Sequence, residues 1–376
     1  MKVNLERKIG ITEKIIKRIF RKLVIKMLYP GLTLKNKDIL QTIKVIEKFS
    51  EDLGGEKIEL ITKDKMKLEA TYFDWRKCTK KFYDQEFANK WIHEITEQLK
   101  DYQQAMTMFD SEAKDLIEFF RIGKIERKTD EKQVKAACLC HGQNGLINAC
   151  PIRALTYISQ GISVIEFNYR GYGKSTGFPS YEGTCLDGIS ACEFLIKKEK
   201  ISPKEVVVHG ISLGVGVASV VAQKIPGTHL IIDRGYSKVA WLAYDTVKSL
   251  LDVIPTISGR ILIVHAQNDE RMAKYHAVRN LKAITKAKFN GIVNKTNLKK
   301  VWLDSFIYGP GNHSFFVFGK AFKKKNQNQN QNKSIIIVWN SDPLSIKKWW
   351  NFLNNLPLKD ASLFKEDSNP FSGKFK

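Results

Sequence analysis

The sequence predicts a doubly wound, mostly parallel α/β sheet, and three observations carry that prediction. Short apolar runs recur through the middle of the chain: 134–140, 162–167, 206–209, 230–232, 261–265 and 301–307. Segments of helical period separate most of them, at 147–160, 183–199, 213–224, 237–251 and 272–286. Alternation at this spacing argues for parallel strands with helices on both faces. The third observation is the pentapeptide Gly210-Ile211-Ser212-Leu213-Gly214, placed where a buried strand gives way to a helix.

The elements before and after this core differ in character. Residues 1–56 form a basic N-terminal extension. Within it, Ile11, Ile15, Ile16, Ile19, Phe20, Leu23, Val24, Met27 and Leu28 share one helical face, and Lys14, Lys17, Arg18, Arg21, Lys22 and Lys26 share the other. Tyr29-Pro30-Gly31 ends that helix. Two readings fit it: a helix lying on an anionic membrane surface through residues 11–28, or one packing its apolar face on the protein body. The main domain is expected over 57–320, opening with antiparallel strands at 57–63 and 68–75. A polar helical insertion follows at about 76–132, marked by Trp91, Ile95, Leu99, Leu116, Phe119 and Phe120. The Lys/Asn/Gln run at 321–334 reads as an exposed low-complexity loop, and 335–376 as a C-terminal segment with a loose tail.

Bulk properties narrow the function classes. The 376 residues, 43% hydrophobic and 11% aromatic, suffice for a sizeable core. A net charge of +23 favours anionic partners, although a Lys-, Ile- and Asn-rich composition also arises without any selected binding role. No nucleic-acid recognition pattern accompanies the charge, so nucleic acid is not an expected partner. Cys78, Cys138, Cys140, Cys150, Cys185 and Cys192 form no CxxC pair, and several lie in apolar runs, as expected of buried thiols in a reducing, cytoplasmic setting. Neither a signal peptide nor a transmembrane run is recognised. No metal or cofactor is expected: His93-Glu94 lacks a second His at 97, and Arg170-Gly-Tyr-Gly173-Lys174-Ser175-Thr176 has Asn168 where a phosphate-binding loop needs its first Gly.

The chemistry centres on Ser212. A Ser between two glycines at a strand-to-helix turn is a nucleophile elbow, and Gly210 and Gly214 permit the tight crossing. A serine hydroxyl attacks well only when a base removes its proton. His313, in the loop Gly309-Pro310-Gly311-Asn312-His313, is the candidate base. Asp269, just past the run 261–265, is the candidate acid that fixes the imidazole. Asp233 is its rival, and His141, His209 and His265 are further strand-end histidines that read as structural. An oxyanion hole is expected from the N–H groups of Gln143 and Leu213, with Gly142 allowing close approach. Such donors contribute about 3–4 kcal/mol each.

Together these residues resemble the α/β-hydrolase superfamily, and within it serine esterases and monoacylglycerol-lipase-like members. Asn168-Tyr-Arg-Gly-Tyr-Gly-Lys-Ser-Thr-Gly177 is a specific part of that likeness. The resemblance implies that this segment shapes the loop near the oxyanion region and is structural rather than catalytic. Ile231-Ile-Asp-Arg-Gly-Tyr-Ser237 is similar to a stretch of the chlamydial CHLPS family, hydrolase-like proteins of intracellular bacteria. The expectation is a serine hydrolase cleaving a lipid or other small-molecule ester through Ser212, Asp269 and His313. The alternative is a hydrolase fold serving as an interaction protein or bacterial effector, with membrane attachment compatible with both.

Overall fold

The computed structural model describes residues 28, 47–48, 50–82, 86, 90, 134–143, 154, 157–158, 161–238, 249–266, 269, 272–273, 275–289 and 303–309, a few of them, including all of 303–309, as backbone only. His313, most of the basic helix at 11–28, nearly all of the insertion at 76–132 and everything after 309 lie outside the described residues.

Among the described residues, eight strands form one sheet in the order β1-β2-β4-β3-β5-β6-β7-β8. They are β1 Glu56–Ile61, β2 Lys67–Phe73, β3 Ala136–Cys140, β4 Ser163–Phe167, β5 Val206–Ile211, β6 His229–Asp233, β7 Ile261–Ala266 and β8 Leu303–Gly309. The hairpin β1–β2 is antiparallel, and β2 also runs antiparallel to β4. Every other neighbouring pair is parallel. The expected strands are therefore present, with ends shifted by at most two residues.

The helices described over their length are α1 Trp75–Phe82, α2 Tyr181–Glu199, α3 Gly214–Lys224, α4 Leu250–Val253 and α5 Tyr275–Phe289. Most of the helix expected at 237–251 lies outside the described residues: Ser237 and Lys238 are non-helical, 239–248 are not described, and α4 begins at Leu250. Ser249 caps it by accepting from the Leu251 N–H, and Pro255 lies in the 3-10 turn that follows. Proline removes a backbone donor and so resists continuation of an α-helix.

Strands β3, β4, β5 and β6 are buried at every residue. Ala136, Cys138, Ile165, Phe167, Val206, Val208, Leu230 and Ile232 join one core with α2, α3 and α5. The alternating residues Ala137, Val164, Val207, Ile231 and Leu262 are equally buried on the opposite face. Burial on both faces explains why these strands read as continuous apolar runs rather than alternating ones. Cys78, Cys138, Cys140, Cys185 and Cys192 are buried free thiols. Leu28, at the end of the expected basic helix, is helical and packs on the core. Among the described residues, no helix is long and apolar enough to cross a membrane.

Candidate active site

The elbow is built where β5 meets α3. Central strand β5 lies between β3 and β6, so its C-terminal end opens at the middle of the sheet edge. Ser212 is the next residue, with φ of 51°. Left-handed φ is costly for a residue with a Cβ and is held only where surroundings enforce it. Here the Ser212 N–H donates to the Asp233 carbonyl at 2.9 Å, and the Ser212 carbonyl accepts from the Val215 N–H at 3.2 Å. Ser212 and Leu213 are half-buried, at the N-terminus of α3. Aligned peptide dipoles make such an N-terminus favourable for developing negative charge.

The two motif glycines are required by close approach. A Cβ on Gly210 would lie 2.6 Å from the Val215 Cα and the Ala218 Cβ. One on Gly214 would lie 2.3 Å from the carbonyl oxygens of Cys140 and His141. The first approach lets α3 cross directly over β5. The second seats its first turn on the end of β3, bringing the 141–143 loop beside the elbow. A Cβ on Gly142 would stand 3.4 Å from the Ser212 Cβ and 4.0 Å from its Oγ.

Hydrogen bonds hold each of the three carbonyls of that loop. The His141 carbonyl accepts from the Tyr169 hydroxyl at 3.0 Å, and the Gln143 carbonyl from the Tyr172 hydroxyl at 2.9 Å. The Gly142 carbonyl lies 2.8 Å from the His141 Nδ1, which must therefore carry the proton. The His141 ring stacks on Tyr169 with centroids 4.0 Å apart. Sequence reasoning placed 168–177 near this loop through the resemblance but did not single out Tyr169 or Tyr172. The rest of that segment is clamped in place. Arg170 forks onto buried Asp187 at 2.8 and 2.9 Å and reaches Asp64 at 2.6 Å. Asn168 donates to Glu69 at 2.7 Å, and the Ser175 hydroxyl accepts from the Glu69 N–H at 2.9 Å.

The two candidate acids occupy different settings. Asp269 lies three residues beyond β7, half-buried, with one carboxylate oxygen accepting from the Met272 N–H at 2.7 Å. Asp233 closes β6, almost fully buried, and its oxygens take Arg234 Nε at 2.7 Å and an Arg234 terminal nitrogen at 2.9 Å. Burial alone would raise its pKa, but the Arg234 charge and the hydrogen bonds from His209 and Arg234 hold it well below the usual range. His209 lies under the elbow between Asp233 and the Tyr157 hydroxyl, at 3.4 and 2.9 Å. Asp233 and His209 thus satisfy one another within the core, in keeping with a structural role. His265 is buried on β7, and burial, before any neighbouring charge, lowers its pKa.

His313 lies outside the described residues, so its position relative to Ser212 and Asp269 is not described. The backbone of β8 ends at Gly309, paired in register with Ala266 at the end of β7. The chain thus leaves β8 four residues before His313 at the edge from which Asp269 projects. Among the described residues, no group of three His, Cys, Asp or Glu side chains is arranged to hold a metal ion.

The strand order, the antiparallel second strand and the sharp turn after β5 define an α/β-hydrolase fold. No family model matches the chain. Among curated proteins it is similar to the lysophosphatidylserine lipase ABHD12 of Danio rerio, 33% identical over 129 residues, covering 33% of each chain. Protein bem46 of Schizosaccharomyces pombe is 36% identical over 107 residues, 28% of this chain and 33% of that one. A multifunctional-autoprocessing repeats-in-toxin protein of Vibrio cholerae is 29% identical over 196 residues, 50% of this chain and 4% of that one. An uncharacterized Mycobacterium tuberculosis protein is 32% identical over 139 residues, 35% of this chain and 48% of that one. The chain thus spans about half or less of the length of these relatives. A Pyrococcus furiosus esterase structure superimposes with a TM-score of 0.42 at 15% identity, over 63% of this chain and 80% of that one. The topology and the elbow, not that score, define the fold.

Proposed function

We propose that the protein is a serine hydrolase that cleaves a carboxylic ester through Ser212, Asp269 and His313. The observation that carries this reading is Ser212 itself, held at a φ of 51° at the central sheet edge beside the Gly142 loop. Strain of this kind persists at sites where geometry matters more than local energy. The likeness to a lysophosphatidylserine lipase supports a lipid ester as the substrate class.

In this mechanism His313 removes the Ser212 proton as Oγ attacks the ester carbonyl carbon. The carbonyl oxygen gains negative charge, which the N–H groups of Gln143 and Leu213 stabilise. Collapse breaks the bond to the alcohol, and His313 returns its proton to that leaving group. Water, activated by the same imidazole, then releases the acid from Ser212. Asp269 keeps the imidazole in the correct tautomer throughout.

The test is hydrolysis of p-nitrophenyl acetate and p-nitrophenyl butyrate by the full chain, Ser212→Ala and His313→Ala. Turnover by the wild type alone supports the reading, and equal turnover by all three removes it. A second reading, an effector-like interaction protein, draws on the likeness to the Vibrio toxin. Biological activity retained by Ser212→Ala would favour that one.

A further inference from the structure

We infer that His141, Tyr169 and Tyr172 form a clamp that sets the orientation of the Gly142–Gln143 peptide, making them positioning residues for the oxyanion hole. The inference rests on the serine-hydrolase reading, because an oxyanion must form at Ser212 for the orientation to matter.

The Gly142–Gln143 peptide is planar and trans. Its C=O and N–H point in opposite directions, so fixing one fixes the other. The Gln143 N–H, the candidate donor, shares its peptide with the Gly142 carbonyl. That carbonyl accepts from His141 Nδ1 at 2.8 Å. The flanking carbonyls of His141 and Gln143 are held by Tyr169 and Tyr172, so the peptides on both sides resist rotation as well. A loop glycine with no Cβ would otherwise leave this peptide free to turn. Both tyrosines are buried, at 2% and 0% exposure.

The His141 ring is itself held. It stacks on Tyr169 and also faces Tyr172, with centroids 5.3 Å away. Its Nε2 lies 3.5 Å from the Tyr169 N–H, which can only donate. The ring therefore donates at Nδ1 and accepts at Nε2, which is the neutral imidazole in one defined tautomer. A preorganised donor acts in the transition state more than in the bound substrate, so its misalignment lowers kcat and spares KM.

The experiment compares the wild type, His141→Phe, His141→Asn and Tyr172→Phe in full-length protein. Phe at 141 retains a ring for stacking but cannot donate. Asn places an amide N–H near the position of Nδ1. The measurements are kcat and KM on p-nitrophenyl acetate, the inhibition constant of phenylboronic acid as a tetrahedral mimic, and thermal melting. Expected are a fall in kcat of about tenfold or more for His141→Phe, somewhat less for Tyr172→Phe, and partial recovery in His141→Asn. KM stays within about twofold, and the boronate constant rises in proportion to the fall in kcat. If His141→Phe does not fold, Tyr172→Phe, which removes one oxygen atom, carries the test. Unchanged kcat, or a fall without a matching rise in the boronate constant, overturns the clamp while leaving the hydrolase reading intact. A wild type that neither turns over the ester nor reacts with a fluorophosphonate overturns both.

Discussion

Replacing Ser212 by Gly is expected to make the protein more stable than replacing it by Ala, although both variants are inactive. The residue sits at a φ of 51°, where any Cβ is strained and glycine is not. Strain at such a position is about 1–3 kcal/mol. Glycine offsets part of the relief through its freer unfolded chain, about 0.4–1 kcal/mol. The net expectation is a gain of about 1 kcal/mol for Ser212→Gly over Ser212→Ala. Both variants lose the hydroxyl and its contacts alike, so their difference isolates the backbone. For a chain of this size the gain corresponds to roughly 2 °C in Tm. Urea and thermal unfolding of the two variants, measured side by side, read it directly. A Gly variant no more stable than the Ala variant would refute the claim that the elbow stores strain.

Gly142→Ala is expected to fold normally, because the new methyl would make ordinary contacts at 3.4 Å, yet to slow acylation by crowding Ser212; ester kinetics with a melting curve check both halves. Gly214→Ala should cost about 3 kcal/mol or more, since its Cβ would meet two main-chain carbonyl oxygens at 2.3 Å, and a melting temperature near the wild type would contradict this. Stability should fall as pH drops from about 6.5 towards 4. Burial, with help from Arg260 and Arg279, lowers the folded pKa of His229 to about 3 and of His276 to about 4. The unfolded chain then binds protons that the fold refuses, so this contribution is complete above pH 6.5 and is lost on acidification. The same urea series in His229→Gln should show a shallower slope over that window. Deleting residues 1–30 should weaken co-sedimentation with anionic vesicles if the basic helix at 11–28 contacts membrane; unchanged binding would favour the packed alternative.

The parts legible in the sequence are those fixed by local rules. Strands β3, β5 and β6 announced themselves because burial on both faces demands uninterrupted apolar residues. The elbow was legible because crossing geometry forbids a Cβ at Gly210 and Gly214. The contacts of Tyr169 and Tyr172 with residues 141–143 were not, because they join positions 28 and 29 residues apart whose proximity only the β3–β4 pairing creates. Asp269 was preferred to Asp233 from its place just past the run 261–265, but the contacts that occupy Asp233 were not legible there. They come from Arg234, which has a left-handed φ of 48° and donates to both oxygens of the preceding carboxylate.

Every step proposed for the reaction depends on Ser212 being the nucleophile. Intact-mass analysis after incubation with a fluorophosphonate, followed by peptide mapping, tests it most directly. One adduct per chain is expected, located on Ser212 and absent from Ser212→Ala. A folded wild-type protein that remains unlabelled, or that carries its adduct on another residue, would contradict it.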